Sequence, residues 1–344
     1  MSSTKIHHCE TCGKVFSNKS SLNRHLKNKT PCKRDNTFDS DIEKRVEYLE
    51  SMVKSIIENN SEPVVNTRIL NVSIPTAELP INTIIHGDCI KVLPTLKSDS
   101  AQIIIADPPY NIGKDFGNES DKQPMDEYLK WTESWIEECL RILKPNGTMF
   151  VYGYSEILAL ILSKVPFHIN RRWIVWHYTN KNVASLHFWQ RSHESILVLW
   201  KEDKVFHRDD IREPYTEGFL NGAAGKERAS TKGRFSKGDK KTTYKAHPDG
   251  ALPRDVLKIP ALAGGAGMKE RVDHPTQKPL TLCDKLIKSC RQSASEGYVL
   301  VPFAGSGSEC LAAKNNDLPF IGIELNEDYV KLINERLETI PKEE

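Results

Sequence analysis

The sequence predicts an α/β protein built on a mostly parallel, doubly wound sheet, with two small modules ahead of it. Three observations carry that expectation. From about residue 81, short β-branched runs alternate with stretches of helical periodicity, the pattern of strands joined by crossover helices. Two of the runs end in compact turns, DPPY at 107–110 and PFAGSG at 302–307. Residues 5–34 set cysteines and a histidine at spacings that one metal ion can staple.

Length and composition bound the answer. A chain of 344 residues can hold one large core and something small beside it. No apolar run approaches the roughly twenty residues needed to cross a bilayer, and the polar start shows no signal peptide. Eight cysteines are too few for a disulfide framework, which favours an intracellular, reducing location. The net charge of +2 hides an asymmetry. Residues 5–34 carry +7 and residues 226–245 carry +6, so the remainder is acidic. Two basic islands on an acidic body suggest two surfaces for a polyanion.

The N-terminal island has the layout of a ββα zinc finger. Cys9 and Cys12 form a knuckle, and His25 falls on a helix. Cys32 follows six residues later, where the commoner finger has histidine after three to five. Phe16 and Leu22 supply a miniature core too small to fold without its Zn2+. His7 and His8 are rival ligands that precede the knuckle. In residues 39–60, Ile42, Val46, Leu49, Val53 and Ile56 alternate spacings of four and three, the seam of a short coiled coil. That seam fits a homodimer, or equally one amphipathic helix packed on the main domain. Residues 61–80, with Pro63, Pro75 and Pro80, read as a linker to a domain spanning 81–340.

In that domain strands are expected at 83–86, 103–106, 148–152, 173–176, 195–200, 299–301 and 320–323. Helices are expected near 126–143, 155–164, 280–291, 307–315 and 327–338. Residues 203–270, rich in Gly and Lys with weak periodicity, read as an insertion without its own core.

The corner at 107–110 is unusual. Neither Pro108 nor Pro109 can donate to a sheet ladder, so the strand must stop there. Pro109 holds Pro108 extended, which leaves a carboxylate, a bare carbonyl and an aromatic ring presented together. Downstream, the glycines of PFAGSG let a ligand approach the backbone at a helix N-terminus. Glu324 ends the next strand about twenty residues on, where an acid can take the hydroxyls of a ribose. Without a phosphate-sized glycine motif or a Walker lysine, the ligand reads as an adenosine bearing an amino-acid tail, S-adenosylmethionine (SAM).

With these motifs in this order, residues 82–338 resemble the amino-group DNA methyltransferases of the circularly permuted β class. HGDCIKVL, WIVWHYTN, RSHESI, IREPY and HPTQKP extend the likeness. The resemblance implies a Rossmann-like fold of the class I methyltransferase type, with 203–270 as the target-recognition region on double-stranded DNA. It implies that Phe303, Ala304, Gly305, Ser306 and Gly307 line the cofactor, with Glu324 and Leu325 at its ribose. Asp88 and Cys89 lie near the adenine, Asp107 borders the site, and Thr276, Gln277 and Lys278 lie near the methionine end. The family usually has aspartate where this chain has Val301, an acid that helps organise the cofactor's amino-acid portion.

The resemblance also gives the corner a purpose. Asp107 and the Pro108 carbonyl each accept one N–H of an exocyclic amine, Pro109 fixes the turn, and Tyr110 stacks on a flipped base. Aspartate in DPPY goes mainly with N6 of adenine. The alternatives are N4 of cytosine and an inactive fold kept for binding DNA. Lys/Arg residues of 226–245 are expected at phosphates. Neutralising Lys240 and Lys241 should therefore flatten the salt dependence of DNA binding by about two charges' worth of slope; an unchanged slope would remove that segment from the interface.

Overall fold

The computed structural model describes residues 7–9, 15–16, 19–27, 81–114, 121–180, 185–222, 224–229, 232, 241–243 and 245–339. The chain divides into two compact units, Met1–Thr76 and Ala77–Glu344.

In the first unit, β1 (His7–His8) pairs antiparallel with β2 (Val15–Phe16), and α1 (Lys19–Leu26) follows. Cys9 is buried directly after β1, and His25 lies on α1. The other two expected metal ligands, Cys12 and Cys32, lie outside the described residues, as do the coil at 39–60 and the linker at 61–80. Among the described residues no cluster of three His, Cys, Asp or Glu is arranged to hold a metal ion.

The second unit is organised by β4 (Ala101–Ala106), whose six residues are all buried. A strand covered on both faces reads as a continuous apolar run, and AQIIIA shows how it is shared. Ile103 and Ile105 pack into the core on one face of the sheet, Ile104 and Ala106 into the core on the other. This is the two-residue alternation of strand side chains.

Around β4 the sheet is completed by β3 (Thr83–His86), β5 (Leu143–Gly153), β6 (Asn170–His177) and β7 (His193–Trp200). Later in the chain come β10 (Val256–Lys258), β11 (Tyr298–Val301) and β12 (Phe320–Glu324). The order is β10-β6-β7-β5-β4-β11-β12-β3. All pairings are parallel except the two made by β7, which runs against β5 and β6.

Helices cover both faces. On one side lie α3 (Met125–Ile142) and α4 (Ser155–Leu162), with Tyr128, Trp135 and Ile136 of α3 buried. On the other lie α6 (Leu280–Cys290) and α7 (Ser308–Asn315), followed by α8 (Glu327–Thr339), which contributes Ile333. A short α2 (Cys89–Val92) follows β3.

From β4 the chain leaves toward β5, whereas from β11 it leaves toward β12. The adjacent β4 and β11 therefore form the switch point of the sheet, beyond whose carboxyl ends open α/β sheets bind ligands. The expected strands and helices all form.

The region 203–270, expected as an insertion without its own core, contributes to the core of the main sheet. It contains α5 (Glu217–Gly222) and a separate hairpin, β8 (Glu227–Ala229) with β9 (Lys241–Thr243). It then rejoins the sheet as β10, parallel to β6, and buries Leu257, Ile259 and Ala261. Three residues at a sheet edge leave too little periodicity to be seen in the sequence.

Gly322 lies on β12 where a Cβ would sit 2.6 Å from Ile84 Cδ1 and 2.9 Å from Cys310 Sγ. Gly322→Ala should therefore cost about 1–3 kcal/mol by overpacking and lower the thermal midpoint by several degrees. An unchanged midpoint would mean that β3 and α7 are not packed against that strand.

Candidate active site

The turn after β4 is held rigid by its neighbours. Asn111 adopts a left-handed φ of 57°, and the buried Asp121 carboxylate accepts the backbone N–H groups of Asn111, Ile112 (3.1 Å) and Lys114 (2.6 Å). The Asn111 side chain bonds the backbone of Gln123 in both directions, at 2.9 and 2.7 Å. Tyr128 donates its hydroxyl to the Pro109 carbonyl at 2.8 Å. Among the described residues no donor reaches the Pro108 carbonyl. The corner thus keeps one bare acceptor among the described residues.

Asp107, by contrast, is already engaged. Lys278 Nζ lies 2.6 Å from Asp107 Oδ2, and Tyr110 Oη lies 3.0 Å from Asp107 Oδ1. The same hydroxyl is 3.1 Å from Glu194 Oε2, so one phenolic proton is shared between two carboxylates. Glu194, near the start of β7, also accepts from Tyr178 at 3.4 Å and stands 3.9 Å from Lys278 Nζ. Burial disfavours the Lys278 ammonium, but Asp107 and Glu194 outweigh it and push its pKa up to about 12. Burial, then the charges of Asp107 and Glu194, raise the Tyr110 phenol well above its ordinary value, so it stays a donor.

Tyr110 is consequently not the exposed ring the sequence suggests. It is half-buried, edge-on to Tyr154 at 5.2 Å, with Lys278 Nζ 5.4 Å from its ring centroid.

Next to this cluster opens a cleft, continuous at its mouth with solvent. Asp88, Cys89, Asp107, Pro108, Pro109 and Tyr110 line it, with Thr276, Lys278, Phe303, Ala304, Gly305, Ser306, Glu324 and Leu325. Two expected residues do not. Gly307 caps α7 at φ 77°, where a Cβ would meet Ile333 Cγ2 at 2.6 Å, so its role is to let α8 approach. Gln277 is turned to the chain before it, accepting from Val272 N at 2.8 Å and donating to Glu270 O at 2.9 Å.

The loop 302–307 is built around Gly305, at φ 50°, whose N–H donates to Glu324 Oε2 at 2.7 Å. Asn326 N–H donates to the other carboxylate oxygen at 2.9 Å. His274 packs against Gly305, where a Cβ would lie 3.0 Å from its Nε2. Burial, then the charges of Lys278 and Arg336, lower the His274 pKa to about 4, so it is neutral. Phe303 is fixed by Trp131 and Trp135, ring centroids 5.6 and 5.2 Å away. Asp88 caps α2 by accepting from Ile90 N at 3.0 Å.

Sequence reasoning missed Glu194 and Glu309. A charge inside the apolar strand HESILVLW was the available signal for the first. For the second it was an acid in the first turn of the helix after PFAGSG. Glu309 is 3% exposed and lines the cleft. Burial, then the Asp107 charge, push its pKa from 4.5 to about 7.

Because that folded pKa lies above the unfolded value, stability falls as pH rises from about 4.5 to about 7, where only the unfolded chain ionises at this position, and levels off above that. Glu309→Gln should gain on the wild type as pH rises from about 4.5 to about 7, by up to about 3 kcal/mol, in thermal unfolding of the ligand-free protein. A difference that does not vary with pH would contradict this placement of Glu309.

Comparison with known proteins agrees with this arrangement. Residues 101–335 match the N6/N4 methyltransferase family described as DNA methylase. Type II methyltransferase M.HpaI of Haemophilus parainfluenzae is 31% identical over 265 residues, 74% of each chain. DNA adenine methyltransferase YhdJ of Escherichia coli K12 is 33% identical over 261 residues, 74% of this chain and 82% of that one. The solved PvuII DNA methyltransferase (cytosine-N4-specific) covers 75% of this chain and 88% of its own, with a TM-score of 0.53 at 14% identity, a likeness of fold alone. A match across the sheet and both halves of the cleft, with two relatives above 30% identity, places the chain in the N6/N4 DNA methylase family.

Proposed function

We infer that the protein transfers a methyl group from SAM to the N6 amine of adenine in a base flipped out of double-stranded DNA. The observation that carries this reading is the pairing of Asp107 with the unengaged Pro108 carbonyl at the lip of a cleft that ends at Glu324. The adenine preference is supported by the aspartate of DPPY and by the relative named as an adenine methyltransferase.

The residues present fit the cofactor. Gly305 leaves open backbone where a side chain would meet His274, and Glu324 offers two oxygens braced by backbone N–H groups. When bound, SAM supplies an electrophilic methyl on a sulfonium. Asp107 and the Pro108 carbonyl orient the amine: each accepts one N–H, so the nitrogen lone pair turns out of the base plane. An amine so held would present its lone pair to the methyl that SAM would supply from its sulfonium, and most of the rate would come from positioning and fixed dipoles. Asp107 has one donor on each oxygen, so acceptor capacity remains for the amine, and it grows when Tyr110 gives up its bond to Oδ1. Lys278 and Glu194 stay behind as a near-neutral pair, and Tyr110 is freed to stack on the base.

The N-terminal unit is assigned a supporting role. A structural zinc held by Cys9, Cys12, His25 and Cys32 is favoured by the ββα order of β1, β2 and α1 and by the burial of Cys9. A second DNA contact there would raise the local concentration of the catalytic unit.

The test is to incubate the full chain with duplex DNA and methyl-labelled SAM, digest to nucleosides and locate the label. N6-methyladenine is expected, with Asp107→Ala reduced by at least about 100-fold. Label in N4-methylcytosine would keep the geometry and correct the base. No label from a protein that also fails to bind SAM would leave a fold that only binds DNA.

A further inference from the structure

Among the described residues five carboxylates line the cleft: Asp88, Asp107, Asp121, Glu309 and Glu324. Four are held by strong donors. Asp88 accepts from Ile90 N, Asp121 from three backbone N–H groups, and Glu324 from Gly305 N and Asn326 N. Asp107 has Lys278 and Tyr110.

Glu309 differs. It accepts from the Cys283 thiol at 3.4 Å and from its own backbone N–H, and a thiol is a weak donor. Lys278 and Arg336 are close enough to influence it, but their contacts go elsewhere. Lys278 reaches Asp107 and Glu194, and Arg336 reaches the Ser306 carbonyl and the Ser308 hydroxyl. A carboxylate this buried is costly when charged and unpaired. An acid in the first turn of α7 also favours that helix electrostatically, yet an exposed side chain would serve that purpose without burial.

The strand leading into the loop gives no substitute. Val301, at the end of β11, is apolar and fully buried, so it brings no charge for a cationic group. The cleft nevertheless has to receive one: the amino-acid tail of the inferred ligand carries a primary ammonium as well as a carboxylate.

We propose that Glu309 is the residue that binds the α-ammonium group of the cofactor's methionyl tail. The proposal rests on the SAM reading and deepens it. It assigns the ammonium to the carboxylate that lacks a strong donor, and leaves Glu324 for the ribose and Asp107 for the base. No bond is made or broken at Glu309, which acts by holding the tail and so fixing the sulfur beside the corner at 107–110.

The test is calorimetric titration of the full-length protein with two probes. One is S-adenosylhomocysteine; the other is its analogue lacking only the α-amino group. Glu309→Gln keeps the shape and the helix position. It should weaken S-adenosylhomocysteine by about 10- to 100-fold, the worth of a charge-assisted hydrogen bond, and leave the analogue within about twofold. Retained binding of the analogue also shows that the variant is folded. If both probes weaken alike, or neither does, Glu309 is structural and the proposal is overturned. Wild-type protein that binds neither probe would overturn the SAM reading, and this proposal with it.

Discussion

One buried ammonium ties the site together. Lys278 is 3% exposed at its side chain and joins three segments distant in sequence. These are the end of β4 through Asp107, the start of β7 through Glu194, and the loop before α6 to which it belongs. The rings of Tyr110 and Tyr152 stand 5.4 and 5.1 Å from its nitrogen. Without that charge, Asp107 and Glu194 would face each other across a single phenolic proton. A buried ion pair is a poor source of net stability, because desolvation consumes most of the Coulomb gain. Its use here is geometric, since it fixes which carboxylate oxygen points at Lys278 and which toward Tyr110.

That constraint sets the terms of catalysis. The base amine meets an aspartate already bonded by Lys278 and Tyr110, one donor on each oxygen, so the carboxylate is held in place before substrate arrives. Holding Asp107 this way keeps it aimed, which is what preorganisation requires. The ring of Tyr110 is retained between Tyr154 and Lys278 instead of being left to solvent. Pro108 needs no such arrangement: among the described residues no donor reaches its carbonyl, and Tyr128 fixes the neighbouring one.

How much of this was legible in the sequence follows from how local each cause is. The corner at 107–110 and the turn at 302–307 could be read directly, because proline and glycine impose their geometry within a few residues. The same holds for Glu324, placed by its strand. The Lys278–Asp107 pair spans 171 positions, and Glu194 reaches the cluster only because β7 runs antiparallel beside β5; neither fact has a local signature. Gly305 and Gly307 look equivalent in sequence, yet one faces the cleft and the other faces Ile333. Similarly, β10 is too short for periodicity to reveal, although it extends the sheet.

The most direct measurement is a crystal structure of the protein with S-adenosylhomocysteine and a duplex containing the target adenine. The account predicts the adenine out of the helix, with N6 within hydrogen-bond distance of both an Asp107 carboxylate oxygen and the Pro108 carbonyl. The Tyr110 hydroxyl would have left Asp107, and its ring would lie against the base. A flipped base held elsewhere, with Asp107 still bonded to both Lys278 and Tyr110, would contradict it.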